Sequence, residues 1–298
     1  MHQFKIALIG GGLRETVVAN ELIKSAYPIS IFGLNEKKLI SLKPVSSSLT
    51  EALTGASVLV LPVSGTDGEG AVAAPDSETS IRLTKGELAL LEKNAPIITG
   101  VASEYLQKLG EDANHPVITV MERDEIAIPN AIPTAEGAVA IAMEHLQITI
   151  YGAKAAVLGF GRVGKAMAHT LKALGASVTV FSRNSGEHHD GRAHGYDMRK
   201  YEACSHVLPQ CDIIFNTVPH LILDDKKLAD ISPNTLVIDL ASKPGGVDFD
   251  VAKRRGITAI AALGLPGKCA PMTAGEILSR GVRPILDEIQ WKHNERKV

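Results

Sequence analysis

The chain has 298 residues, 45% of them hydrophobic and 21% charged, with a formal net charge of −2. That is enough chain for two domains of ordinary size, and the balance is that of a folded globular protein. The near-neutral charge excludes a basic field for nucleic acid, and no apolar run reaches the roughly 18 residues that span a bilayer, so neither nucleic acid nor membrane is an expected partner.

The opening "MHQFKIALIGG" has one lysine and then a strand, without signal-peptide architecture, so a cytoplasmic location is expected. Cys204, Cys211 and Cys269 are odd in number and form no CxxC pair, which points to idle thiols rather than a disulfide framework or a zinc site. The first half alternates strand and helix patterns. "FKIALIG", "PISIFG", "SVLVLPV", "PIITG" and "PVITVM" read as strands, with helices at "RETVVANELIKSA", "LTEAL" and "TKGELALLEKN". The last of these opens at Thr84 with Glu87 in capping-box position. Residues 64–80, "SGTDGEGAVAAPDSETS", read as a long loop at the carboxyl end of a strand, where open α/β sheets usually bind ligands.

"NAIPTAEGAVAIAMEHLQITI" reads as a linker helix with Pro133 in its first turn and Thr134 to His145 following. A second strand–helix series starts at "AKAAVLG", and the tail "TAGEILSRGVRPILDEIQWK" reads as a helix able to pack back on the first domain. The expected fold is therefore α/β, with two doubly wound parallel-sheet domains, a cleft between them and a C-terminal Rossmann domain. Expected boundaries are 1–130 for the N-terminal domain, completed by a helix over 274–292, then 131–150 for the linker helix and 151–273 for the Rossmann domain.

Two glycine turns compete for a dinucleotide. In "AAVLGFGRVGKAMAHTLKALGASVTVFSR", Gly159, Gly161 and Gly164 fit G-x-G-x-x-G between a strand and a helix. Gly159 suits the tight turn, Gly161 the approach of a pyrophosphate, and Gly164 close helix–strand packing, with Phe160, Arg162 and Val163 completing the turn. The next strand ends at Phe181, Ser182 and Arg183, where an NAD enzyme usually carries an acidic residue. A hydroxyl followed by a guanidinium suits a 2′-phosphate, so NADP is the expected cofactor. The opening "IALIGGGLRE" fails the same test, because Gly10, Gly11 and Gly12 are consecutive and Glu15 stands where the close-packing glycine belongs. It reads as a structural turn or as a substrate-side turn, with Arg14 able to meet a carboxylate.

Further cofactor candidates follow the later strands. They are Asn216, Thr217, Val218 and Pro219, then Asp239 and Ala241, and finally Pro271, Met272 and Thr273, with Thr273 able to cap the last helix. Asp239 has an equal claim to a structural role. Substrate candidates are Ser64, Gly65, Thr66, Thr99, Gly100, Thr134, Glu136 and the cation Lys243. No residue stands out as the catalytic base. The histidines of "GEHHDGRAH" are irregularly spaced in polar surroundings, which reads as a solvated loop and no metal site.

At "IPTAEGA", "LGFGRVGKAMA", "DLASKPGGVDF" and "GLPGKCAPMTAG" the chain resembles the A-subunit family of dipicolinate synthases, nearly end to end. The resemblance implies oxidation of a dihydrodipicolinate, a small dicarboxylate derived from the lysine pathway, with NADP, during sporulation in the mother cell. It also implies a partner, the flavoprotein-like B-subunit of the same synthase, and it leaves room for a homo-oligomer. Two other classes compete with this reading. "PGKCAPMTAG" resembles a turn of methylene-tetrahydrofolate dehydrogenases, and the overall plan resembles D-2-hydroxyacid dehydrogenases, although a histidine suited to the latter chemistry is missing after "GLPG". The last alternative is a nucleotide-binding scaffold without catalysis of its own.

Overall fold

The computed structural model describes residues 3–295. The chain forms two compact units, one made of the residues up to Ala127 together with those from Pro271, the other of Ile128–Ala270.

The first unit runs β1 (Ile6–Ile9), α1 (Leu13–Lys24), β2 (Ile29–Phe32), α2 (Leu49–Leu53), β3 (Val58–Val60), β4 (Ala71–Val72), β5 (Ile81–Arg82), α3 (Lys85–Leu88), β6 (Ile97–Thr99), α4 (Glu104–Ala113), β7 (Val117–Thr119) and the start of α5 (Asp124–His145). Five strands make a parallel sheet in the order β2-β1-β3-β6-β7, with Ile6 opposite Ile29 and Val58. Strand alternation builds a core on each face. Ile6 and Leu8 join the cluster that holds Val18 and Leu22 of α1, and Ala7 and Ile9 join the cluster of Leu53, Leu88 and Leu106.

The second unit runs from α5 through β8 (Lys154–Leu158), α6 (Arg162–Ala173), β9 (Ser177–Phe181), α7 (Ser185–Ala193), β10 (Asp197–Arg199), α8 (Cys204–Val207), β11 (Ile213–Asn216), α9 (Asp225–Leu228), β12 (Leu236–Asp239), α10 (Phe249–Arg254), β13 (Ala259–Ala261) and α11 (Leu265–Cys269). Its six strands pair in parallel in the order β10-β9-β8-β11-β12-β13. The order reverses between β8 and β11, so the carboxyl ends of these two strands flank the crevice at which such sheets bind ligands. α12 (Pro271–Glu295) then returns to the first unit, packing on α1 with Leu278, Val282, Ile285 and Leu286 in the core and Arg283 bonded to Glu21 at 3.1 Å.

Several local expectations are corrected. The linker helix starts at Asp124, and Pro129 and Pro133 lie inside it. The helix tolerates both missing N–H donors, and the Pro133 carbonyl accepts from Cys269 Sγ at 3.2 Å. By length and apolar composition α5 would pass as a membrane span, but half of that window is buried within the protein, as in a core helix. The Thr84 helix ends at Leu88, after which the Leu90 and Leu91 N–H groups donate three residues back, to the Glu87 and Leu88 carbonyls (3.2 and 3.1 Å), and the Leu90 carbonyl accepts from Gly55. Part of the 64–80 segment is ordered by antiparallel pairing of β4 with β5, and by a bridge between Thr66 and Val72. "GEHHDGRAH" lies in helix α7 rather than in a loop, capped by the Asn184 side chain, which accepts from Gly186 N–H at 2.8 Å. Thr273 is the third residue of α12, not its cap.

Candidate functional site

The site is built from the bottom of the β8–α6 turn. Gly159 N–H donates to the Phe181 carbonyl (2.9 Å), and the residue takes φ +100°, a conformation that favours glycine. A Cβ on Gly164 would stand 2.2 Å from the Gly159 carbonyl oxygen, so helix and strand approach as closely as the backbone permits. A Cβ on Gly161 would meet nothing within 4 Å. Gly161 is the N-cap of α6, no side chain caps it, and the first turn holds no acidic residue. The N-cap position of α6 is therefore open above Gly161, the condition for a helix start to hold an anion.

That space is a cavity of about 590 Å³, lined by the Gly159–Val163 turn, by Ser182 and Arg183, and by Thr217, Val218 and Pro219. The structure adds three residues the sequence reading missed, namely Asn184, Glu187 and Tyr201. The Phe160 side chain turns away into the core, against Tyr196, and leaves its backbone to the cavity. Burial pushes the Tyr201 phenol up to about 12, so it is neutral at physiological pH. Ser182 is buried, and its hydroxyl accepts from Asn184 N–H (3.1 Å) and donates to the Glu187 carboxylate. A carboxylate thus does reach the end of β9, delivered by the first turn of α7 rather than by the strand.

Asn216 and Asp239 work beneath the cavity wall. Both are buried, and Asn216 Nδ2 donates to Asp239 Oδ1 (2.8 Å) and to the Val218 carbonyl (3.0 Å). Asp239 also accepts from Ala241 N–H (3.1 Å) and Gly246 N–H (2.9 Å). These pairs engage their polar groups in shaping the two turns, including the one that carries Ala241. Pro271, Met272 and Thr273 begin α12 and belong with the first unit, where Met272 and Thr273 are exposed.

The first glycine turn is closed by its own side chain. Gly10 N–H donates to Phe32 (2.8 Å) and Gly11 N–H to Ala73 (2.7 Å). Glu15 folds back onto the start of α1, where Gly12 N–H donates to it at 3.0 Å and Val63 N–H at 3.4 Å. Arg14 pairs with the same carboxylate at 2.9 Å, which is where its charge is used.

Most of the substrate candidates in the first unit also have structural partners. The Thr99 hydroxyl donates to the Pro62 carbonyl (2.8 Å), and Thr66 pairs with Ser103, the cap of α4 (3.0 Å). Gly65 and Gly100 are points of close approach to the backbone of Val101 and Val63. Ser64 is exposed. In the second unit Thr134 bonds back to Asn130 within α5 (2.9 Å), whereas Glu136 and Lys243 are exposed charges. The cysteines are not reactive sites. Burial pushes the Cys204 and Cys211 thiols up to about 11 and raises that of Cys269.

A parallel sheet in this order, with an open glycine turn after its first strand, defines a dinucleotide-binding domain of the dehydrogenase class. Residues 134–244 match the NAD binding domain of D-isomer specific 2-hydroxyacid dehydrogenases, and residues 5–121 match the N-terminal domain of the dipicolinate synthase A-subunit. The chain is 37% identical over 290 residues to the dipicolinate synthase A-subunit of Bacillus subtilis (strain 168), which covers 96% of this chain and 97% of the relative. It is also similar to the crystal structure of the dipicolinate synthase A-subunit from Bacillus halodurans, at a TM-score of 0.87 and 35% identity over 96% of this chain and 99% of that one. The A chain of Bacillus subtilis dipicolinate synthase gives a TM-score of 0.88 and 35% identity over 98% of each. The chain belongs to the dipicolinate synthase A-subunit family.

Proposed function

We propose that this chain oxidises dihydrodipicolinate to dipicolinate with NADP as hydride acceptor, in the mother-cell cytoplasm of a sporulating bacterium, partnered by the flavoprotein-like B-subunit of that synthase. The observation that carries the reading is the open start of α6. It pairs a glycine with free space above it with a first turn that lacks both a side-chain cap and an acidic residue. Those features fit a pyrophosphate. When bound, the nicotinamide accepts the hydride. Dihydrodipicolinate gives up that hydride from a ring carbon and a proton from the ring to solvent, and the products are dipicolinate, NADPH and H⁺. Gain of aromaticity drives the step, so the protein has mainly to hold and aim the substrate. The backbone of Gly159–Val163 binds the phosphates, Arg183 takes the 2′-phosphate, and the Thr217–Pro219 turn, fixed from beneath by Asn216 and Asp239, orients the nicotinamide half. Lys243, an exposed cation of the second unit, is the proposed partner of a substrate carboxylate.

The test mixes purified chain with dihydrodipicolinate and NADP and follows NADPH absorbance, with and without the flavoprotein-like partner. A rise with this chain alone supports the reading. A rise that needs an intact active site in the partner makes this chain a scaffold, and no rise in either mixture removes the proposed substrate.

A further inference from the structure

The end of β9 holds two opposite charges that do not pair with each other. Arg183 and Glu187 both line the cavity beside Asn184 and Tyr201, yet no ion pair joins them, and neither pairs with another charged side chain among the described residues. Glu187 is not free to swing away. Its carboxylate accepts a hydrogen bond from the Ser182 hydroxyl, and Ser182 is itself buried and fixed by Asn184 N–H at 3.1 Å. The backbone N–H of Glu187 is held from the other side by the Asn184 side chain at 3.4 Å. The carboxylate is therefore a built feature of the cavity, and the Ser182 hydroxyl is committed to it rather than to a phosphate.

We infer that Glu187 is a specificity-determining residue. Its carboxylate reads the ribose 2′-hydroxyl of NAD and opposes the 2′-phosphate of NADP, which Arg183 attracts. The inference rests on the reading that the second unit holds a nicotinamide dinucleotide. A carboxylate accepts a charge-assisted hydrogen bond from a ribose hydroxyl, whereas a phosphate brought beside it meets a like charge. The guanidinium has the reverse preference, because it bonds a phosphate bidentately and gains little from a hydroxyl. The two side chains pull the choice in opposite directions, and the site accepts both dinucleotides with a moderated preference.

The experiment is isothermal titration of the full chain with NADP⁺ and NAD⁺ in wild type, Glu187→Gln and Arg183→Ala. Glutamine keeps an acceptor for the Ser182 hydroxyl, and an unchanged melting temperature confirms the fold. The expected result for Glu187→Gln is a shift of the NADP/NAD affinity ratio toward NADP by about tenfold or more, with NAD binding weakened, and Arg183→Ala shifts the ratio the other way. An unchanged ratio in Glu187→Gln, with Arg183→Ala still discriminating, overturns the inference and leaves the dinucleotide site standing. A wild type that binds neither dinucleotide overturns both. If Glu187→Gln unfolds, adenosine 2′-monophosphate and adenosine titrated into wild type decide the matter. Measurable binding of both supports the inference, and exclusion of adenosine overturns it.

Discussion

The two glycine turns start alike and end as opposites. In both, the first glycine after the strand donates to a phenylalanine carbonyl on the neighbouring strand, Gly10 to Phe32 and Gly159 to Phe181. In both, a glycine is the N-cap of the helix that follows. The difference lies in the third helical residue. In α1 it is Glu15, which returns a carboxylate to the helix start, while in α6 it is Gly164, which has nothing to return. One helix start is neutralised from within the chain and the other is left for an anion from outside. The third helical residue, together with the spacing of the glycines before it, thus separates the two turns on sheets of similar plan.

That contrast can be broken at three levels of severity. The largest effect is expected at Gly164→Ala, because the added methyl would stand 2.2 Å from a carbonyl oxygen. The backbone has to move, at a cost of about 2–4 kcal/mol, and NADP binding falls below detection by calorimetry. Retained binding would show that the turn is softer than its packing implies. The next effect comes from a matched pair of N-cap variants. Gly161→Ala adds a methyl where nothing stands within 4 Å, so stability holds but NADP binding weakens about tenfold or more. Gly12→Ala, whose nearest neighbour would be Pro75 at 3.7 Å, leaves both melting temperature and NADP affinity unchanged. Equal effects of the two would erase the distinction between the turns. The smallest effect on binding is expected at Glu15→Ala. It removes the acceptor of Gly12 N–H and Val63 N–H and the partner of Arg14, which costs about 1–3 kcal/mol in urea unfolding. NADP stoichiometry stays at one per chain, and a second equivalent would mean that Glu15 alone had been blocking a latent site.

Much of this was legible in the sequence because the informative patterns are local. Continuous apolar strands such as "SVLVLPV" and the spacing of Gly159, Gly161 and Gly164 carry their physics within a few residues, and the parallel sheets and the open turn follow from them. The parts that were not legible depend on side chains returning from elsewhere. Glu15 reads in sequence as a missing glycine, and its role as a plug appears only once Val63 and Arg14 surround it. Glu187 escaped because Gly186 and Gly191 give α7 the composition of a loop, and only the helix carries the carboxylate back to Ser182. The start of α5 was misplaced because Pro133 marks a first turn by propensity, while burial of Ile126, Ala127 and Ala131 sustains a helix that begins at Asp124. The hydroxyls of Thr66 and Thr99 look like ligands in sequence, and the neighbours they bond are far along the chain.

The return of α12 to α1 has a consequence for the order in which a newly made chain can mature. The stretch Ile128–Ala270 is continuous, so all of it has been translated before α12 begins. The five-stranded sheet of the first unit, made first, lacks Leu278, Val282, Ile285 and Leu286 until the very end of synthesis, and one of its apolar faces stays incomplete until then. The half made earliest is thus the last to close, and until α12 arrives its uncovered apolar face is the part of the chain most open to aggregation.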